Sequence, residues 1–313
     1  MKKISGYFVL LLLISILSAC GADQKNSANE EGKLTVYTTV FPLTDFAQKI
    51  GGETVSVKSV YPPGSDAHSF EPTPRDMTDI ASADAFIYTG VGVEGFVTSA
   101  QKTLKNEKVS LIEAGAGIEF LHTEDNDHHD DEHHHGDIDP HIWLDPIYSI
   151  QLAENIKNAL IEINPSDKEI YEGNFKELKE QLEALNREFM EVTNSATQKE
   201  ILVAHSAYGY WEARYGIKQI SITGYSPTNE PSQKQLKNII DVAKEHNLKY
   251  ILFEQNISSK IGKTVQNETG TESLTLHNLE AVTKKEIESN EDYFSLMRKN
   301  LDTLKKALKS NTP

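Results

Sequence analysis

The chain has 313 residues, 38% hydrophobic and 25% charged, with a formal net charge of −16 at pH 7. That acidic balance excludes a nucleic-acid binder, which needs a basic face, and it favours cations near the surface. The single cysteine, Cys20, excludes an intramolecular disulfide and a thiolate zinc cluster.

The first 19 residues read as an export signal. Lys2 and Lys3 form its basic region, Tyr7 to Leu17 its apolar region, and Leu17-Ser18-Ala19-Cys20 its small-residue cleavage site. The apolar stretch is shorter than the ~20 residues that a membrane-spanning helix needs. The segment LSACG resembles a bacterial lipobox, which implies cleavage before Cys20 and a diacylglyceryl group on its sulfur. Two acyl chains meet the two-signal requirement for stable anchoring. Residues 20–32 are small and polar, as in a flexible lipid-anchored tether. The mature protein is therefore expected on the extracytoplasmic face of the cell membrane. About 290 residues remain after processing, enough for two domains.

From Lys33 onward, strand-like and helix-like segments alternate. LTVYTTV (34–40) precedes a helical stretch near 43–50 that ends at Gly51-Gly52, and TVSVKSV (54–60), DAFIYTG (84–90) and VSLIEA (109–114) follow. EILVA (200–204), IKQISIT (217–223), KYILFE (249–254) and ESLTL (272–276) repeat the pattern, with helical stretches near 207–215, 232–246, 258–269 and 290–309. Strands alternating with helices indicate βαβ units and parallel sheets. The expected fold is α/β, with an N-terminal lobe over 33–165 and a C-terminal lobe over 195–313. Between them, Asn164-Pro165 stops a helix of 148–162, and Ser166 with Glu169 has the form of a capping box. Tyr171, Phe175, Leu178, Leu182, Leu185, Phe189 and Val192 then recur at spacings of four and three, one apolar face of a helix roughly 40 Å long. That stripe fits either a coiled-coil dimer or a stiff spine packed against both lobes. The spine is the expectation, with 166–194 as the connecting helix of a monomer.

The eleven histidines are the chain's most telling residues. His122, His128, His129, His133, His134 and His135 crowd into one acidic loop, 122–137, whose spacing matches no defined zinc motif. Neutral imidazole is the commonest side-chain metal ligand, so this loop is expected to bind metal weakly. Three others stand alone: His68 in PPGSDAHSFEP, His141 in DPHIWLDP and His205 in VAHSAYGY. Each follows a predicted strand, and ligand groups in open α/β sheets gather outside the carboxyl ends of strands. Two from the first block and one from the second would converge in a cleft between lobes. His246 lies near a helix C-terminus and receives no role.

PGSDAHSFEPTPRD, DPHIWLDP, AHSAYGYWEARYG and YFSLMRKNLDTLKKAL resemble the zinc-binding lipoproteins of bacterial ABC metal importers, in the cluster A-I family of solute-binding proteins. The resemblance covers nearly the whole mature chain outside the tether and the histidine loop. It implies two lobes, each with a four-stranded parallel sheet flanked by helices, one long rigid connecting helix, and a metal buried between the lobes. Carried over by motif, the ligands are His68, His141 and His205, with an acidic fourth ligand at Glu280; His277 and water are the competing donors there. The implied partners are a membrane permease and its ATPase. Three imidazoles and a carboxylate suit tetrahedral Zn2+, whereas manganese favours oxygen-rich sites. Manganese-type relatives, some called adhesins, resemble the chain but carry Glu where His205 stands. A zinc hydrolase is the rival class, yet HExxH and a nucleophile elbow are both missing, and no catalytic residue is expected. Asp66, Glu71, Asp139 and Asp145 are expected as turn formers or helix caps sooner than as acceptors behind the ligands. Trp143, Tyr208 and Tyr210 are expected to pack around the cleft.

Overall fold

Four parallel strands, β1 (Leu34–Thr38), β2 (Val55–Ser59), β3 (Ala85–Tyr88) and β4 (Ser110–Glu113), form a sheet in the order β2-β1-β3-β4. A second sheet repeats that order as β6-β5-β7-β8, from β5 (Glu200–Val203), β6 (Lys218–Ser221), β7 (Tyr250–Phe253) and β8 (Glu272–Thr275). The computed structural model describes residues 32–90, 92–122, 138–227, 230–255 and 260–309. The export signal, Cys20, nearly all of the tether, and His128, His129, His133, His134 and His135 lie outside the described residues. All eight expected strands are present but shorter than their apolar runs. Thr39, Gly90 and Glu254, at the carboxyl ends of those runs, already belong to loops.

The helices are α1 (Phe41–Gly51), α2 (Pro74–Ala81), α3 (Val97–Leu104), α4 (Pro146–Ile163), α5 (Lys168–Ser195), α6 (Gly209–Tyr215), α7 (Gln233–Glu245), α8 (Lys260–Thr269), α9 (Lys284–Glu288) and α10 (Tyr293–Ala307). Sequence periodicity missed α2, α3 and α9, which are too short to establish a 3.6-residue period. Two of them nevertheless carry start signals. Thr73 with Asp76 and Thr283 with Glu286 each form a reciprocal capping box. The box expected at Ser166 does not form. Pro165–Asp167 makes a 3-10 turn, Ser166 donates to Asn164 Oδ1, and α5 begins only at Lys168.

At 28 residues, α5 is about 42 Å long. Its stripe is buried except at half-buried Phe175, over which the Lys157 ammonium lies 4.7 Å from the ring centre. The covering surfaces are α4, α1 and α10 of the same chain, so the stripe serves as a spine and not as a dimer seam. One hydrophobic core runs from β1 and β3 through α4 and α5 to Tyr208, Trp211 and Leu276, and a smaller one lies around Leu202, Ile251 and Val265. Everything from Leu34 onward forms one compact unit. No helix among the described residues is long and apolar enough to cross a membrane.

A spine stabilised by burial makes a direct prediction. Leu182→Ala should cost about 2–5 kcal/mol because Leu182 is fully buried, whereas Met190→Ala, at a position 46% exposed, should stay within about 0.5 kcal/mol. Urea unfolding of the two variants checks this, and equal costs would contradict the burial of the stripe.

Candidate metal centre

In each sheet the chain leaves its first strand on one side and returns on the other. The switch points therefore fall between β1 and β3 and between β5 and β7. Crevices beyond the carboxyl ends of strands at such points are the usual ligand sites of open α/β sheets. His68 lies in the loop after β2, His141 follows the long connection after β4, and His205 follows β5 directly. Glu280 lies in the turn after β8.

The His68 loop is shaped by Asp66, whose carboxylate accepts from the His68 backbone N–H at 3.1 Å and the Ser69 hydroxyl at 2.6 Å. Phe70, Tyr61 and Phe96 pack edge to face beneath it. Asp66 is thus a turn former, as expected. Asp145 is a helix cap, accepting from Ile147 N and Tyr148 N at the start of α4 and pairing with Arg214 of α6. Glu71 is exposed.

Asp139 departs from the turn-former expectation. Its Oδ1 accepts both the His141 backbone N–H and the ring Nδ1–H, each at 2.9 Å. That bond leaves Nε2 as the atom facing the cleft. The other oxygen of Asp139 lies against Gly209, where any Cβ would collide with it. His205 is held in the same way, with Nδ1 on Glu254 at the end of β7. Glu254 was missed in the sequence, although KYILFE advertises it: an apolar strand ends on a carboxylate at the same level as His205.

Glu280 sits on a constrained turn. Leu279 has φ +61°, a left-handed conformation that costs a branched side chain of the order of 1 kcal/mol or more. The turn is fixed by its neighbours. The Asn300 side chain of α10 takes both the N–H and the C=O of His277, and the indole N–H of Trp143 donates to the Asn278 carbonyl at 2.8 Å. His277 turns away, with Nδ1 accepting from Leu279 N and Nε2 facing Glu286 at 3.4 Å. It is therefore not among the converging groups.

Four groups converge: His68, His141, His205 and Glu280 each present one donor atom, all within 4.8 Å of one another. Glu280 Oε1 is 3.3 Å from His68 Nε2, 3.4 Å from His141 Nε2 and 3.8 Å from His205 Nε2, and the last two nitrogens are 3.3 Å apart. A tetrahedron built on metal–ligand distances of ~2.0–2.1 Å has edges of roughly 3.3–3.4 Å. His68 Nε2 and Glu280 Oε1 are buried without hydrogen-bond partners, as expected of atoms arranged for an ion. Burial works against the charged form of His141, but the hydrogen bond to Asp139 and the Glu280 carboxylate 3.4 Å away prevail, raising its pKa to about 9. Burial likewise opposes ionisation of Glu280, yet the His141 and His68 rings, 3.4 and 3.3 Å from its Oε1, hold its carboxyl far below the usual range. The cleft favours positive charge.

Around this centre lie the expected aromatic residues, all buried. Trp143 reaches Asn278, Tyr208 donates to the Leu276 carbonyl, and Tyr210 donates to the Asp139 carbonyl. Of the histidine loop, only His122 is described, paired in an isolated bridge with Ile138. His246 caps α7 and bonds to Glu200 at 2.6 Å.

The family model of the periplasmic zinc-uptake complex component A, ZnuA, matches residues 36–307. The chain belongs to this family. It is 36% identical over 313 residues to the high-affinity zinc uptake system protein ZnuA of Bacillus subtilis, with 98% of each chain covered. It is also 36% identical to the zinc-binding protein AdcA of Streptococcus pyogenes, across 95% of this chain but only 61% of that longer relative. Among solved structures, the Zn(II)-bound ZnuA-like domain of Streptococcus pneumoniae AdcA aligns at a TM-score of 0.76 with 32% identity, covering 89% of this chain and all of that one. The laminin-binding protein Lmb of Streptococcus agalactiae, described as a bifunctional protein with adhesin and metal transporting activity, aligns at 0.77 with 30% identity over 88% and 99%.

The charge state of His141 predicts a pH dependence in the metal-free protein. A histidine whose pKa is raised on folding stabilises fully below its unfolded value of 6.5 and loses that contribution as pH climbs to about 9. Stability of chelator-treated protein should therefore fall by a few kcal/mol between those limits. His141→Gln should remove that slope, as measured by denaturant midpoints across the range.

Proposed function

We propose that this chain is the extracytoplasmic zinc-binding subunit of an ABC importer. It captures Zn2+ between its lobes and hands it to a membrane permease driven by a cytoplasmic ATPase. The observation that carries this reading is the donor set: three imidazole nitrogens and one carboxylate oxygen, all within 4.8 Å of one another, with three of their separations at 3.3–3.4 Å, the edge of a zinc tetrahedron. His68, His141, His205 and Glu280 are the ligands in this reading, and Asp139 and Glu254 fix the rings of His141 and His205. With Glu280 at the fourth vertex, none is left for an activated water, which favours carriage over hydrolysis. Three nitrogens favour zinc over manganese, and copper or nickel binding in vitro would be no contradiction. A diacylglyceryl anchor on Cys20 and the tether behind it keep the domain at the membrane. The likeness to Lmb favours adhesion as a second activity of the same surface-held chain.

The ligand set is tested by His205→Ala and Glu280→Ala. The first removes a nitrogen donor and should abolish tight zinc binding with the fold intact. The second should do less, because water can occupy a tetrahedral vertex. Anaerobic zinc titration with elemental analysis measures both, and tight binding that survives His205→Ala would refute the site.

The histidine loop is expected to collect zinc and not to hold it. Deleting residues 122–137 removes six histidines and none of the four proposed ligands. Calorimetry of the deleted protein should retain one tight event and lose the weaker ones, and growth should falter only when zinc is scarce. Loss of the tight event would invert the assignment.

A further inference from the structure

Beside the four-donor centre lies a small cavity of about 70 Å³, with Gly64, Ser65 and Asp66 on one rim and Glu254, Gln255 and Glu280 on the other. Its volume holds roughly two water molecules, or a cation with part of its hydration shell. No lysine or arginine lines it. Three oxygens of its lining residues, Glu254 Oε2, Gln255 Oε1 and Glu280 Oε1, are buried acceptors with no hydrogen-bond partner. Glu254 itself is 6% exposed. Buried acceptors left unsatisfied are costly; the four-donor centre accounts for Glu280 Oε1, and the other two, beside one cavity, need an explanation of their own. Hydrophobic packing and turn formation explain neither of these two. Glu254 is two-sided: one oxygen accepts from His205 Nδ1 and the other has no partner in the protein.

The loop that carries the most exposed of the four ligands also lines this cavity. His141 and His205 side chains are fully buried and Glu280 is 3% exposed, whereas His68, two residues beyond the rim residue Asp66, is 11% exposed. We propose that the cavity is a transfer station, where a divalent cation entering or leaving the centre exchanges part of its water shell for Glu254 Oε2 and Gln255 Oε1 before Glu280 takes it. This rests on the zinc-binding reading and adds a second, transient site on its path. The final ligands stay four; the station lowers the cost of stripping water from the ion on its way to them. Desolvation is the expensive part of delivering a small divalent ion to a buried site, and oxygen donors along the way spread that cost over steps.

Stopped-flow kinetics of Zn2+ with the mature chain, using a fluorescent chelator as competitor, tests the station separately from the centre. Gln255→Leu touches no proposed ligand. It should slow association and dissociation together, each about 5-fold for one lost polar contact, and leave the equilibrium affinity unchanged. Glu254→Gln keeps an oxygen for His205 Nδ1–H but removes the charge facing the cavity. It should weaken affinity and also slow association, whereas a residue acting only through His205 would speed dissociation alone. Unchanged association rates in both variants, with tight binding in the parent chain, would overturn the station and leave the zinc reading standing. A parent chain without a tight zinc site would overturn both.

Discussion

A carboxylate buried among three imidazoles governs this structure. A buried charge costs several kcal/mol unless it is paired, and Glu280 is nearly inaccessible to solvent. Its Oε1 lacks a hydrogen bond yet lies 3.3–3.8 Å from three ring nitrogens. Asp139 and Glu254 place two further carboxylates directly behind the rings. Three buried carboxylates so close together are tolerable only if positive charge enters. In the metal-free chain the His141 proton supplies some of it. A divalent cation supplies more, at a point where three of the donor separations already match a tetrahedral edge. The fold therefore carries a local electrostatic cost that binding relieves, which couples cation affinity to stability.

Holding those groups in place takes contacts between the lobes, and these limit how the site can open. Phe41 N donates to Glu280 O, Gly64 N to Val282 O, Trp143 Nε1 to Asn278 O, and Trp211 Nε1 to Leu144 O. Tyr210 ties Leu121 and Asp139 to α6. Each of these joins a segment of the first sheet's half to one of the second. A wide hinge would break all of them and split the core that runs along α5. Movement of individual loops breaks few. The His68 loop is the natural candidate, since among the described residues His68 has no carboxylate behind its ring, unlike His141 and His205. A displacement of that loop would open the cleft while leaving the contacts across the two halves in place.

The parallel sheets and the long spine were legible because their signals are strong: apolar runs bounded by Gly and Pro, and seven apolar residues at spacings of three and four. His68, His141 and His205 were legible from their positions after strands, and Glu280 only through resemblance, because no local pattern singles out LHNLEAVT. The residues behind the converging histidines were harder to read. Asp139 and Asp66 both precede their histidine by two residues and both accept its backbone N–H. Only Asp139 also takes the ring, and a difference in side-chain rotation leaves no trace in the sequence. Glu254 is 49 residues from His205, so its partner could be found only by pairing β5 with β7. Short helices such as α9 were missed for lack of length, although their capping residues were present.

The two sheets share one topology but differ in the chemistry at their switch points, and the difference explains why only one leaves an imidazole facing the cleft there. Between β1 and β3 the crevice is filled by Glu94. One of its oxygens accepts from the Thr39 hydroxyl and the Thr89 N–H at 2.7 Å each, and the other from the Thr89 hydroxyl. Both lone-pair sets are engaged, so that carboxylate stiffens the first sheet and has nothing left to offer a cation. Between β5 and β7 the corresponding carboxylate is Glu254, with one oxygen bound to His205 and the other unpartnered. A buried acid satisfied by hydroxyls and amides is a structural plug. A buried acid satisfied on one side only, with an imidazole between it and a cleft, orients that imidazole for coordination and retains an oxygen of its own. The same strand order thus yields a closed crevice in one half and a metal-facing one in the other, decided by whether threonines or a histidine stand beside the acid.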